Sequence, residues 1–189
     1  MRKTPLLLFL ILTLACNVEP NQNDSNEPYF NLENQLNKEI DYLLSQRAGL
    51  WKTLISDEKE EQIQIDIKSS EEWRSQLSLF FDANIDKPGF QGSFYQESLS
   101  TLDGLNKTIY SAKSSKIPVQ IFECIYTNEK LTEINIQWRE KNLVFETSKK
   151  LRLFLDPESS HLIGFDVEGN EDMNLKENMF YNVHAVITY

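Results

Sequence analysis

From Phe30 onward the apolar residues Leu32, Leu36, Ile40, Leu43, Leu44, Leu50, Trp51 and Leu54 keep helical spacing, which predicts a helix of about six turns. Gly49 weakens its last part. Ser56, Asp57 and the acidic run Glu58, Glu60 and Glu61 then read as a turn. Strict alternation follows, Ile63, Ile65 and Ile67 against Gln62, Gln64 and Asp66, the pattern of a half-buried strand. Ser69 or Ser70 is placed to cap a second helix, with Glu71 and Glu72 in the first turn where the helix dipole favours acids. Trp73, Leu77, Phe80 and Phe81 form its apolar face, and Lys87, Pro88 and Gly89 end the region.

Near Thr108 the period changes to two. Residues 108–113, 119–127, 131–139, 143–148, 151–156, 162–167 and 180–188 read as strands. Their connections, such as Asn128, Glu129 and Lys130, are mostly short and polar, and short links force antiparallel neighbours. Ile134, Ile136 and Trp138 alternate with Glu133, Asn135, Gln137 and Arg139, so one face of the sheet meets water. The run from Val119 to Tyr126 is apolar on both faces apart from Gln120 and Glu123, which predicts an internal strand. The expected fold is α+β: N-terminal helices packed on one face of a C-terminal antiparallel meander.

The N-terminus carries a different signal. Arg2 and Lys3 precede the apolar run from Leu6 to Ala15, which at ten residues is shorter than the ~17–25 needed to span a bilayer and has the shape of a secretory signal peptide. Leu12, Thr13, Leu14, Ala15 and Cys16 then resemble a bacterial lipobox, with Thr13 where Leu is usual. That resemblance implies lipidation of the Cys16 thiol and cleavage before it. The expected organisation is a signal peptide over residues 1–15, a lipidated Cys and polar tether over 16–29, and one globular domain over 30–189. Cleavage leaves 174 of the 189 residues and removes Arg2 and Lys3, taking the formal charge from −10 to −12. Only Val18 and Tyr29 in the tether offer much apolar surface, and its thirteen residues from Asn17 reach ~45 Å when extended. Asn17, not Asp, follows the Cys, so the inner-membrane retention signal of enterobacterial lipoproteins is absent and the outer membrane is the expected destination. The acids Glu19, Asp24 and Glu27 are scattered and leave periplasmic and surface exposure both open.

Composition narrows the partners. Nineteen basic against 29 acidic residues argue against nucleic acid, whose phosphates need a basic patch. The two cysteines are Cys16 and Cys124. With Cys16 lipidated, Cys124 has no disulfide partner, and its place in an apolar strand marks it as a buried structural thiol.

Candidate chemistry is sparse. Asp82, Asn84 and Asp86 have the alternate spacing of a calcium loop's first ligands, but Lys87 stands where the loop needs Gly and Ser93 where it needs a bidentate Glu. Asp166, Glu168, Asn170, Glu171 and Asp172 around Gly169 read as a solvated acidic turn. His161 falls in a turn between strands, and His184 shares a strand face with Phe180 and Val186. No catalytic residue, cofactor site or metal site is assigned; the one assigned site is lipidation at Cys16.

Trp73, Leu77 and Phe80, followed by Asn84, Ile85, Asp86, Lys87 and Pro88, resemble a recurrent stretch in small, uncharacterised Bacteroidota lipoproteins, which share the order lipobox, tether, helix, short strand, Trp-bearing helix and β-rich half. The resemblance implies location and architecture and no activity. The leading expectation is an envelope lipoprotein, membrane-bound through its lipid, acting as a non-catalytic binding or scaffold module for an envelope protein partner. The alternative is a carrier of a lipid or other amphiphile in an apolar cavity between sheet and helices. An enzyme built on carboxylates and His161 ranks last, for want of a nucleophile elbow, metal cluster or phosphate loop.

Overall fold

The computed structural model describes residues 28–56, 59–101, 104–142, 145–173 and 178–189. The chain opens on helix α1 (Leu32–Ser45) and a strand pair, β1 (Gly49–Ser56) and β2 (Lys59–Ile65). Two short helices follow, α2 (Ser70–Gln76) and α3 (Ser78–Asp82), and then a 3-10 turn (Pro88–Phe90). Seven strands complete it: β3 (Phe94–Ser100), β4 (Leu105–Ala112), β5 (Val119–Thr127), β6 (Lys130–Lys141), β7 (Phe145–Leu155), β8 (Leu162–Met173) and β9 (Met179–Thr188).

All nine strands form one antiparallel sheet in the order β2-β1-β9-β8-β7-β6-β5-β4-β3. From β3 to β9 it is a simple meander, as short polar links require. The departure lies at the far end: β1 pairs with β9, Leu50 opposite Ile187 and Ser56 opposite Tyr181, so the N-terminal hairpin extends the C-terminal sheet.

The expected six-turn helix is therefore wrong in its second half. Asn31 caps α1 by accepting the Asn34 N–H at 2.8 Å, and Leu32, Leu36, Ile40 and Leu43 are buried as the spacing requires. The helix stops because Arg47 adopts φ 54° and the Ala48 N–H turns back to the Leu43 carbonyl at 2.9 Å. Leu50, Trp51 and Leu54 satisfy a helical period, but the Trp, Thr and Ile among them favour a strand, and pairing on both sides decides the matter.

The acidic turn expected from Ser56 to Glu61 is shortened: Ser56 belongs to β1 and Lys59, Glu60 and Glu61 to β2, while Asp57 and Glu58 lie outside the described residues. Ile63 and Ile65 share one side of β2 and Ile67 lies beyond its end, and burial rises along the three: Ile63 is 59% exposed, Ile65 half-buried and Ile67 6% exposed. β2 is an edge strand whose tip runs past the core, so alternation alone does not bury it.

Ser69 caps α2 by accepting the Glu72 N–H, and the Glu72 carboxylate accepts the Lys68 N–H at 2.6 Å. The backbone breaks at Leu77, giving two short helices in place of one, while Trp73, Leu77 and Phe80 stay buried.

The two strands expected at 143–148 and 151–156 are one strand, β7, over Phe145–Leu155; residues 143 and 144 lie outside the described residues. The acidic run at 166–172 lies inside β8, not in a turn, because the acids face cations across the sheet: Asp166 meets Arg152 at 2.7 Å and Glu168 meets Lys150 at 3.8 Å. β3, with the weak pattern Phe-Tyr-Gln-Glu-Ser-Leu-Ser, was not anticipated.

One cluster of buried side chains draws on helices and strands alike. Phe80 of α3 meets Phe165 of β8 edge-on at 5.6 Å, and Phe30, just before α1, meets Phe122 of β5 at 5.8 Å. Ile134 and Ile136 are buried while Gln137 and Arg139 face solvent, so the alternation read in β6 holds.

Candidate functional site

The Asp82, Asn84 and Asp86 group does not converge on a point. Asn84 is 2% exposed, and its Oδ1 accepts the Leu32 N–H at 3.1 Å and the Asp86 N–H at 3.3 Å. Asp86 Oδ2 accepts from Asn31 Nδ2 at 2.7 Å, and Lys87 Nζ donates to the Asp82 carbonyl at 3.0 Å. The stretch thus satisfies an unpaired N–H in the first turn of α1 and steadies its cap, a structural task.

His161 is not isolated in its turn. Its ring stacks on Tyr42 of α1, centroids 3.4 Å apart and planes 5° from parallel. Its Nδ1 lies 3.2 Å from Oε2 of Glu39, and the same oxygen accepts the Leu162 N–H at 2.9 Å. Gln35 Nε2 donates to the other oxygen at 3.0 Å. A carboxylate that is 5% exposed is thereby saturated with donors, as burial demands. Glu39 was missed in the sequence although a signal existed: it sits three after Leu36 and four before Leu43, on the apolar stripe of α1.

The widest charged constellation lies on the opposite, solvent-facing side of the sheet. Register places Arg152, Asp166 and His184 side by side on β7, β8 and β9. Arg152 donates to Asp166 Oδ2 at 2.7 Å, and His184 Nδ1 lies 2.6 Å from Asp166 Oδ1. Arg152 also approaches Glu168 at 3.6 Å. The next row holds Lys150, Glu168 and Asn182. An Asp–His pair of this kind is a fragment of a proton relay, but here the carboxylate is shared with a guanidinium. Among the described residues His184 bonds to Asp166 alone, and no hydroxyl or thiol nucleophile meets its other nitrogen.

Beside these rows runs a groove of about 490 Å³ whose lining includes Gln137, Arg139, Lys150, Glu168, Asn170 and Phe180. Gly169 contributes only backbone to its floor. On the far side of Gly169 the Tyr181 ring lies so close that a Cβ there would meet it at 2.1 Å, so the groove opens on the side away from Tyr181. A second groove, of about 370 Å³, lies where α1 passes into β1 and is lined by Leu44, Arg47, Ala48, Gly49, Asp66, Ile67 and Lys68. Both linings mix charged and apolar groups. Exposed apolar side chains at the β2-β1-β9 end lie on both faces, Trp51, Ile55, Phe180 and Val186 on the ion-pair side and Leu54, Ile63 and Met179 on the other; Tyr95 and Leu99 are exposed on β3 at the opposite edge.

Inside the core, burial pushes the Cys124 thiol up to about 12 and holds it protonated. Burial also raises the Tyr126 hydroxyl beside it, and lowers the Lys52 ammonium, which donates to Gln76 Oε1 at 3.0 Å. Among the described residues no three His, Cys, Asp or Glu side chains gather in a metal-ligand arrangement, and no helix is long and apolar enough to cross a membrane. Cys16, the expected lipidation site, lies outside the described residues. Compared with known proteins, the chain matches no family model, no curated protein sequence and no solved structure.

Proposed function

We propose that the chain is an envelope lipoprotein, held to the outer membrane through lipid on Cys16, whose folded part is a non-catalytic binding or scaffold module. In this reading the helices cover one face of the antiparallel sheet and leave the other face and one edge to partners. The observation that carries it is a group of four exposed apolar side chains on one face of two adjacent strands, Trp51 and Ile55 of β1 with Phe180 and Val186 of β9, next to rows of ion pairs. Contiguous exposed apolar surface rimmed by charge is the usual mark of a protein contact.

The amphiphile-carrier reading has weaker support. Trp73, Phe80, Phe122 and Phe165 are each buried to within 1% and occupy the space a lipid tail would need. The two grooves open to solvent and carry charges in their linings.

The test is photo-crosslinking from intact membranes with a reactive group at Trp51 or Phe180, compared with one at the exposed Ser98, on β3 at the other edge of the sheet. A defined product from the first two positions alone supports the module. Equal or absent products from all three count against it. Retention of a lipid through purification, read by mass spectrometry, would favour the carrier instead.

A further inference from the structure

The sheet has two edges, β2 and β3, which among the described residues are both open along most of their length and differ at one end and in their side chains. At the β3 edge the Tyr29 hydroxyl accepts the Phe94 N–H at 3.0 Å and faces the Phe94 carbonyl at 3.4 Å, so the outward backbone groups at the start of that strand already have a partner. At the β2 edge, among the described residues, nothing outside the β1 pairing bonds to the backbone of Lys59–Ile65. Every residue of β2 but Ile65 is exposed. An open row of alternating N–H and C=O groups is a template for one kind of occupant, an extended polypeptide.

Side chains narrow the occupant further. The first half of β2 carries Lys59, Glu60 and Glu61, a net charge of one negative, with Glu60 accepting from Gln62 Nε2 at 2.7 Å; the second half, Gln62 to Ile65, is uncharged. Ile63 and Glu61 lie on the side of Leu54, which is 37% exposed; Glu60, Gln62 and Gln64 lie on the side of Ile55 and Trp51, at 41% and 40%. A second copy of the chain fits poorly. Antiparallel pairing of two β2 strands about Gln62 sets Glu61 against Ile63 and Lys59 against Ile65, with no acid meeting a base, and each chain carries a formal charge of −10.

Resting on the binding-module reading, we propose that β2 is a docking edge for an extended, basic polypeptide segment of an envelope protein, added as a tenth strand. Its Lys or Arg residues lie beside Glu60 and Glu61, and its β-branched residues lie beside Ile63 and Ile65. Main-chain hydrogen bonds supply much of the affinity, and the two acids supply direction and rate.

The probe is a capped nine-residue peptide with Lys at two successive positions in one half, one for each face, and Val at alternate positions in the other. A companion peptide carries Glu in place of Lys. Binding to the folded chain is measured by fluorescence anisotropy at low and high salt, and backbone protection by hydrogen exchange. The expected result is binding of the Lys peptide at least tenfold tighter than the Glu peptide, weakened at least fivefold by salt, with new protection in β2. The double variant Glu60→Lys, Glu61→Lys, both positions exposed, reverses the peptide preference while leaving the melting temperature unchanged. The proposal is overturned by no binding, by protection confined to the face around Phe180, or by self-association through β2 seen in sedimentation. Crosslinking from membranes separates the two levels. A partner still captured at Trp51 by the double variant keeps the module and discards the edge. Loss of capture at Trp51 in the wild-type chain discards both.

Discussion

The Glu39 carboxylate of α1 accepts the backbone N–H of Leu162, the first residue of β8, at 2.9 Å. The contact joins residues 123 positions apart and is buried. His161 beside it stacks flat on Tyr42, so a helix and a strand turn are fastened by a hydrogen bond and a ring contact within a few residues.

Glu39→Ala is expected to cost about 1–3 kcal/mol, because it leaves the buried Leu162 N–H without an acceptor. Chemical denaturation checks it. Glu39→Gln, which keeps an acceptor oxygen, should lose less than half as much. Equal losses would mean that the charge, not the hydrogen bond, matters there.

Trp73 is fully buried, and its indole N–H has no partner among the described residues. Trp73→Ala should cost about 3–5 kcal/mol. Trp73→Phe keeps most of the apolar volume and discards the unsatisfied donor, so it should cost well under half of that. The two midpoints, measured in urea, give the comparison directly.

The Cys124 thiol supplies a pH prediction. Its folded value is raised from 9.0 to about 12 by burial. The stabilisation this represents is fully present below pH 9 and is lost progressively as pH rises toward 12, because the unfolded chain releases the proton first. At pH 8 a thiol reagent should label Cys124 only at the rate of unfolding. Labelling in the native state at the rate of a free peptide thiol would contradict its burial.

Gly169→Ala should be destabilising by about 1–3 kcal/mol, since its Cβ would displace the Tyr181 ring. In the double variant with Tyr181→Ala the loss should fall short of the sum of the two single losses by at least 0.5 kcal/mol, on the order of typical coupling between touching residues. Additive losses would show that the ring moves aside freely.

Cys16→Ser is expected to release the protein from membrane fractions and to abolish lipoprotein-type processing, read by fractionation and by the mass of the mature N-terminus. A variant that fractionates like the parent would remove the lipid anchor from the picture.

What the sequence revealed depended on how local the cause was. The Ser69 cap, the buried stripe Leu32, Leu36, Ile40 and Leu43, and the alternation of Ile134 and Ile136 are short-range effects, and each stands in the fold. β1 was hidden because Leu50, Trp51 and Leu54 suit a helical period as well as a strand, and only pairing with β9 separates the two. The acids of β8 looked like a turn until Arg152 and Lys150 came to face them from another strand. His161 looked isolated because Glu39 lies 122 positions away, and the Arg152, Asp166 and His184 row exists only in the strand register.

The pairing of β1 with β9 also fixes an order of events. A chain synthesised from its N-terminus delivers α1, β1 and β2 first and β9 last among the described strands. Until β9 arrives, the early hairpin has nowhere to dock, and a two-stranded ribbon on its own is marginal in water. The closing step joins positions more than 120 residues apart, which makes it slow and leaves the strand flanks exposed meanwhile. A chaperone that shields an early hairpin until the last strand is released would act on this protein at its most vulnerable moment. For the same reason a truncation within residues 179–188 cuts the sheet through its interior, not along its border.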